Sequence, residues 1–194
     1  MPALSGMWPP SRWTTNSVET INFGALGGAD NVTVNDLSVT SVGNVNIDLG
    51  LAGGGGDGAV DTIVINATNG NDVISVANNN GLVTVSGLAA TVTIANFEAT
   101  DRLVINGLDG DDVITASGLG TAMQLFANGG NGDDILIGST GNDTLSGGPG
   151  DDILIGNGGV DVLDGGTGGN IILTASTVPT LSLAVQHVSD FHFG

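Results

Sequence analysis

Short runs of alternating apolar and polar residues recur along the chain, among them 45–49 (VNIDL), 82–86 (LVTVS), 91–95 (TVTIA) and 102–106 (RLVIN). Alternation of this length, carried by β-branched side chains and bounded by Gly, Asn or Asp, predicts strands with one face buried. The runs follow one another about every nine to eleven residues, and no segment keeps a 3.6-residue apolar period over three turns. The chain therefore reads as strand after strand, with no helix.

From residue 129 to 173 the pattern becomes an exact repeat. Five nonapeptides follow without a gap: GGNGDDILI, GSTGNDTLS, GGPGDDILI, GNGGVDVLD and GGTGGNIIL. Each has Gly at its first and fourth positions. The sixth holds Asp134, Asp143, Asp152, Asp161 and then Asn170, and the eighth holds Leu136, Leu145, Leu154, Leu163 and Ile172. Upstream, 107–115 (GLDGDDVIT) is another complete unit, with Asp112 sixth and Ile114 eighth; 26–34, 56–64 and 67–75 are looser echoes. Many short, evenly spaced strands fit an antiparallel sandwich or a parallel solenoid. Self-similarity of the loops as well as the strands favours the solenoid, because stacked coils set equivalent residues above one another. Two nonapeptides make one coil, so the expected fold is all-β: a right-handed parallel β-roll or β-solenoid with coils of about 18 residues and degenerate N-terminal coils, stacked ~4.8 Å apart.

Composition narrows the partners. The chain has 194 residues, 34 of them Gly, and its twenty acidic residues face only Arg12 and Arg102, for a net charge of −18. The 40% hydrophobic content argues against a disordered, solvating chain. So acidic a surface repels phosphate backbones and attracts cations, which excludes nucleic acid and anionic membranes as natural partners. Without cysteine there is no disulfide framework, zinc ribbon or thiol nucleophile. No apolar run reaches the ~18 residues of a membrane span. The first residues, MPALSGMWPPSRW, lack the basic start and continuous apolar stretch of a secretory signal peptide.

The loops carry the candidate chemistry. In 129–134 (GGNGDD) the glycines let the backbone turn its carbonyl oxygens inward, and an Asp at fixed depth adds a carboxylate. That is hard-oxygen ligation, suited to Ca²⁺ with its six to eight flexible ligands and less suited to Mg²⁺. Without a cation, stacking sets like charges near one another, which disfavours the fold. The plainer reading is that Asp and Gly only form turns.

These nonapeptides resemble the GGxGxDxUx repeats of the RTX (repeats-in-toxin, haemolysin-type calcium-binding) proteins, over 107–115 and 129–173. The resemblance implies Ca²⁺ held between loops two units apart, with positions two, four and six of one loop facing one, three and six of the loop a coil later. Carried over, Gly130, Gly132 and Asp134 face Gly147, Pro149 and Asp152. Gly148, Gly150 and Asp152 face Gly165, Thr167 and Asn170; on the opposite edge Ser139, Gly141 and Asp143 face Gly156, Gly158 and Asp161. This makes about three sites in 129–170. Asn170 lacks the second carboxylate, so its site is expected to be weak or empty. Asp112 precedes Asp134 by 22 residues, so a site joining them requires four extra residues somewhere in the coil between.

The resemblance also implies a secreted protein, exported unfolded by a type I route and folding on calcium outside the cell. The expected organisation is an irregular leader or cap over 1–17, a degenerate solenoid over 18–106, the calcium-binding roll over 107–173, and a tail over 174–194 acting as cap or secretion signal. Residues 189–193 (SDFHF) are similar to the end of type I signals. Strand geometry adds one inference. With position eight inward, positions seven and nine of one sheet are Ile135, Ile137, Ile153, Ile155, Ile171 and Leu173, an aliphatic outer face expected to meet the tail or a second copy. No HExxH, GxSxG or Walker motif is present, and the only histidines, His187 and His192, lie in the tail. A non-catalytic calcium-binding roll is the favoured function. A structural or adhesive self-assembling solenoid and the repeat module of a carbohydrate-active enzyme are the alternatives.

Overall fold

The computed structural model describes residues 19–174 and the backbone of 182–185. The leader 1–17, the histidines and the 189–193 motif lie outside the described residues. The elements are β1 (Thr20–Leu26), β2 (Asn31–Val34), β3 (Asn44–Leu51), β4 (Thr62–Asn66), β5 (Val73–Asn79), β6 (Leu82–Ser86), β7 (Thr91–Ala95) and β8 (Arg102–Asp109). There follow β9 (Val113–Gly118), β10 (Gln124–Asn131), β11 (Ile135–Ile137), β12 (Thr144–Pro149), β13 (Ile153–Ile155), β14 (Val162–Thr167), β15 (Ile171–Thr174) and β16 (Ser182–Val185). Among the described residues there is no helix, and so none long and apolar enough to cross a membrane.

Two sheets enclose the core. One has ten strands in the order β1-β3-β7-β6-β5-β9-β11-β13-β15-β16, the other six in the order β14-β12-β10-β8-β4-β2. From β8 to β15 the chain alternates strictly between them and each strand lies parallel to its predecessor in the same sheet, as in a parallel β-roll. Registers repeat every 18 residues at the C-terminal end: Ile135 opposes Ile153, which opposes Ile171, and Thr144 opposes Val162. Inward side chains stack in rows, one being Ile65–Ile105–Ala127–Leu145–Leu163 and another Ile74–Ile114–Leu136–Leu154–Ile172. All are buried except Leu163 and Ile172, which are partly buried at the end of the stack.

The degenerate coils differ from the even spacing expected of them. Between β8 and β10 the register step is 22 residues, and between β4 and β8 it is 40. The longer step holds a reversal: β6 runs antiparallel to both β5 and β7, and β7 then pairs parallel with β3. Its cause is local. Asn80 and Gly81 both have positive φ between the paired residues Asn79 and Leu82, the geometry of a two-residue hairpin turn. Both sheets nevertheless continue unbroken, with β8 spanning residues 106 and 107.

Candidate metal centre

Where the chain crosses from the six-stranded into the ten-stranded sheet, loops 107–112, 129–134, 147–152 and 165–170 stack to form one edge of the roll. A single row of hydrogen bonds ties their sixth residues together. The backbone N–H of Asp72 donates to Oδ1 of Asp112 at 2.7 Å, that of Asp112 to Asp134 at 2.8 Å, that of Asp134 to Asp152 at 2.8 Å, and that of Asp152 to Asn170 at 2.7 Å. Each carboxylate therefore reaches back one coil and fixes the depth of its loop.

This leaves the other carboxylate oxygen. Oδ2 of Asp112, Asp134 and Asp152 is buried and has no hydrogen-bond partner. An unpaired buried carboxylate is costly, and here three recur at one-coil intervals. The chain has no lysine to relieve them, and Arg102 stands over the Phe126 ring, 5.9 Å from its centroid. Burial pushes the Asp134 carboxyl up to about 6; the N–H of Asp112 opposes the rise, and the neighbouring Asp112 and Asp152 charges add to it. Burial likewise raises Asp112 and Asp152.

The remaining donors are carbonyl oxygens. Those of Asn131, Pro149 and Thr167 point at the preceding loop, accepting the N–H of Gly110, Gly132 and Gly150 at 2.9, 3.0 and 2.9 Å, and each keeps a second lone pair. No three Asp, Glu, His or Cys side chains converge among the described residues. A cation at this edge is thus limited to two carboxylates, with carbonyl and water oxygens completing the shell. Such an all-oxygen, mixed set fits Ca²⁺ and lacks the soft ligands of a transition-metal site.

The structure brings the loop holding Gly130, Gly132 and Asp134 onto that of Gly147, Pro149 and Asp152. It likewise brings Gly148, Gly150 and Asp152 onto Gly165, Thr167 and Asn170. Asp112 joins the row because the four extra residues lie on the opposite edge, between β9 and β10. Leu108 opposes Gly130 and Asp109 opposes Asn131 without a shift. At the far end Asn170 donates its amide Nδ2 to the Gly166 carbonyl at 3.3 Å and brings no second carboxylate to the edge.

Ser139, Gly141 and Asp143 do stack on Gly156, Gly158 and Asp161, the N–H of Asp143 donating to Asp161 Oδ1 at 3.0 Å. Asp143 differs from the orphaned aspartates, however. The Ser139 hydroxyl donates to both its oxygens at 2.9 and 3.0 Å, and the Ser139 N–H to Oδ2 at 2.6 Å. Burial still raises the carboxyls of Asp143 and Asp161.

Two further ladders escape the nonapeptide grammar. Asp30, Asp61 and Asp101 precede β2, β4 and β8 and are linked by N–H···Oδ1 bonds of 2.8 and 3.0 Å. For Asp30 and Asp101 an Asp directly before an alternating run is the only signal, whereas Asp61 is also the sixth residue of the looser 56–64 echo. At position five, exposed Asp111, Asp133 and Asp151 form a ladder of the opposite sense, the N–H of Asp133 donating to Asp111 Oδ1 at 3.0 Å and that of Asp151 to Asp133 Oδ1 at 2.8 Å. The outer aliphatic rows also form: Ile135, Ile137, Ile153, Ile155 and Leu173 are partly buried and Ile171 is 40% exposed. The described part of the tail, β16, does not fold over them; it adds antiparallel to β15 at the edge of the sheet.

A parallel β-roll with an all-oxygen edge of buried, partnerless carboxylates defines a cation-binding repeat protein. The family model for the RTX calcium-binding nonapeptide repeat matches this chain in four copies, over residues 104–118, 128–163 and 137–172. Residues 104–118 and 128–172 thus carry RTX nonapeptide repeats, a repeat class that binds Ca²⁺. No curated protein matches it, and no solved structure does.

Proposed function

We propose that this is a secreted, non-catalytic calcium-binding β-roll in which the edge carrying Asp112, Asp134 and Asp152 holds the ions and calcium drives folding. The observation that carries the reading is the row of three buried Oδ2 atoms with no partner. Leu108, Gly110 and Asp112 with Gly129, Asn131 and Asp134 form one site, and Gly130, Gly132 and Asp134 with Gly147, Pro149 and Asp152 the next. The third, ending at Asn170, has one carboxylate and binds most weakly.

Bound calcium supplies positive charge and ligand-accepting capacity to oxygens the protein leaves unpaired. Extracellular calcium modules bind at 10⁻⁴–10⁻³ M, so at ~1 mM Ca²⁺ and a dissociation constant of ~0.1 mM each site stabilises the fold by about 1.4 kcal/mol. Two or three such sites suffice to decide folding in a marginally stable domain. This supports export in an unfolded state from a calcium-poor interior, in line with the usual secretion of RTX-repeat proteins. Isothermal titration with CaCl₂ tests the binding: heat saturating in the submillimolar to millimolar range, reduced in Asp134→Asn, is expected. No calcium-dependent heat, or a response matched by MgCl₂, overturns the reading.

A further inference from the structure

We propose that the second residue of each loop decides whether the loop takes calcium, and that a hydroxyl there, Ser139 or Thr68, replaces the cation. The inference rests on the calcium-edge reading above and adds to it which loops stay metal-free.

The loops fall into two conformations. In five of them the second and fourth residues both have positive φ: Leu108 and Gly110, Gly130 and Gly132, Gly148 and Gly150, Asn157 and Gly159, Gly166 and Gly168. In loops 67–72 and 138–143 neither position does. The same bonds close these two instead. The N–H groups of Thr68 and Ser139 donate to Oδ2 of Asp72 and Asp143 at 2.8 and 2.6 Å. Their hydroxyls donate to the same carboxylates, at 2.8 Å for Thr68 and at 2.9 and 3.0 Å for Ser139. Each hydroxyl oxygen in turn accepts the N–H of the fourth residue, Gly70 at 3.1 Å and Gly141 at 3.0 Å.

The two loops lie on opposite edges of the roll and share no neighbours. Their common geometry therefore follows from local sequence, a hydroxyl at position two and Asp at position six. The two donors converge on Oδ2 and give a hydrogen-bond partner to the very oxygen that is left unpaired in Asp112, Asp134 and Asp152. The contrast holds for three loops of one edge; a fourth partnerless buried Oδ2, that of Asp30, precedes β2 on the opposite edge, outside the nonapeptide loops. The partnerless Oδ2 atoms of Asp112, Asp134 and Asp152 belong to loops whose second residue is Leu108, Gly130 or Gly148, which offer no side-chain donor. Ser139 thus removes from calcium binding a loop pair that the repeat pattern alone would count as a site.

Native mass spectrometry of the full chain in CaCl₂ counts the ions. Asp143→Asn is expected to leave the count unchanged, Asp152→Asn to lower it, and Ser139→Gly to raise it by one ion that Ser139→Gly/Asp143→Asn loses again. Ser139→Thr keeps the original count. A lower count in Asp143→Asn alone overturns this proposal while leaving the calcium edge standing, and does so even if the Ser139→Gly chain fails to fold. An unchanged count in folded Ser139→Gly also overturns it. An unchanged count in Asp152→Asn overturns the calcium-edge reading and this proposal together.

Discussion

The backbone N–H of Asp134 donates to Oδ1 of Asp152 at 2.8 Å, while Oδ2 of the same Asp152 is buried without any partner. One oxygen joins two coils and the other is left for a ligand. The same carboxylate therefore stabilises the stack through its bond and opposes it through its charge, and the balance depends on calcium.

Asp152→Asn separates these two effects. The amide oxygen retains the bond from Asp134, and the unpaired buried charge disappears. In chelator the variant is expected to be more stable than the parent chain. In ~1 mM Ca²⁺ it is expected to be less stable by about 1–3 kcal/mol, because Asp152 serves the loops on both sides. Thermal denaturation under both conditions checks the reversal; the same sign in both contradicts it.

Acidity acts in the same direction as charge removal. The Asp134 carboxyl, ordinarily near 3.8, stands at about 6 in the metal-free fold, so between these values the fold binds more protons than the unfolded chain. Stability in chelator is then greatest when the group is protonated and falls as pH rises through about 6. Melting temperatures in chelator should drop between pH 5 and pH 7. In saturating calcium, which requires the ionised form, they should rise over the same interval.

Loop packing makes a third contrast. Gly150 has φ +152° and a Cβ there would meet the Gly132 carbonyl oxygen, whereas Gly120 has φ +67° with open space around it. Gly120→Ala should cost about 1–2 kcal/mol, the conformational penalty alone. Gly150→Ala adds the collision and should cost about 3–5 kcal/mol. Chemical denaturation in calcium measures both; equal losses would mean that the loops do not stack as described.

The repeat was legible because its residues face their own copies, so self-similarity from Gly129 to Leu173 carries both the 18-residue coil and the inward row from Leu136 to Ile172. Other features were not. Alternation looks the same whichever way a strand runs, and the reversal at β6 shows only in the Asn80-Gly81 turn signal. The four residues separating Asp112 from Asp134 fit either edge on paper; the strand registers put them between β9 and β10, leaving the aspartate row intact. The Ser139 site reads like its neighbours because the nonapeptide pattern counts the second residue as backbone, while the decisive atom is its hydroxyl oxygen.

The most direct test is far-UV circular dichroism of chelator-treated protein during a CaCl₂ titration, with MgCl₂ as control. A cooperative coil-to-β transition at submillimolar to millimolar Ca²⁺, absent with Mg²⁺, is the predicted result. A spectrum already fully β in chelator and unchanged by calcium would contradict calcium-driven folding and leave a roll held together by its aliphatic core.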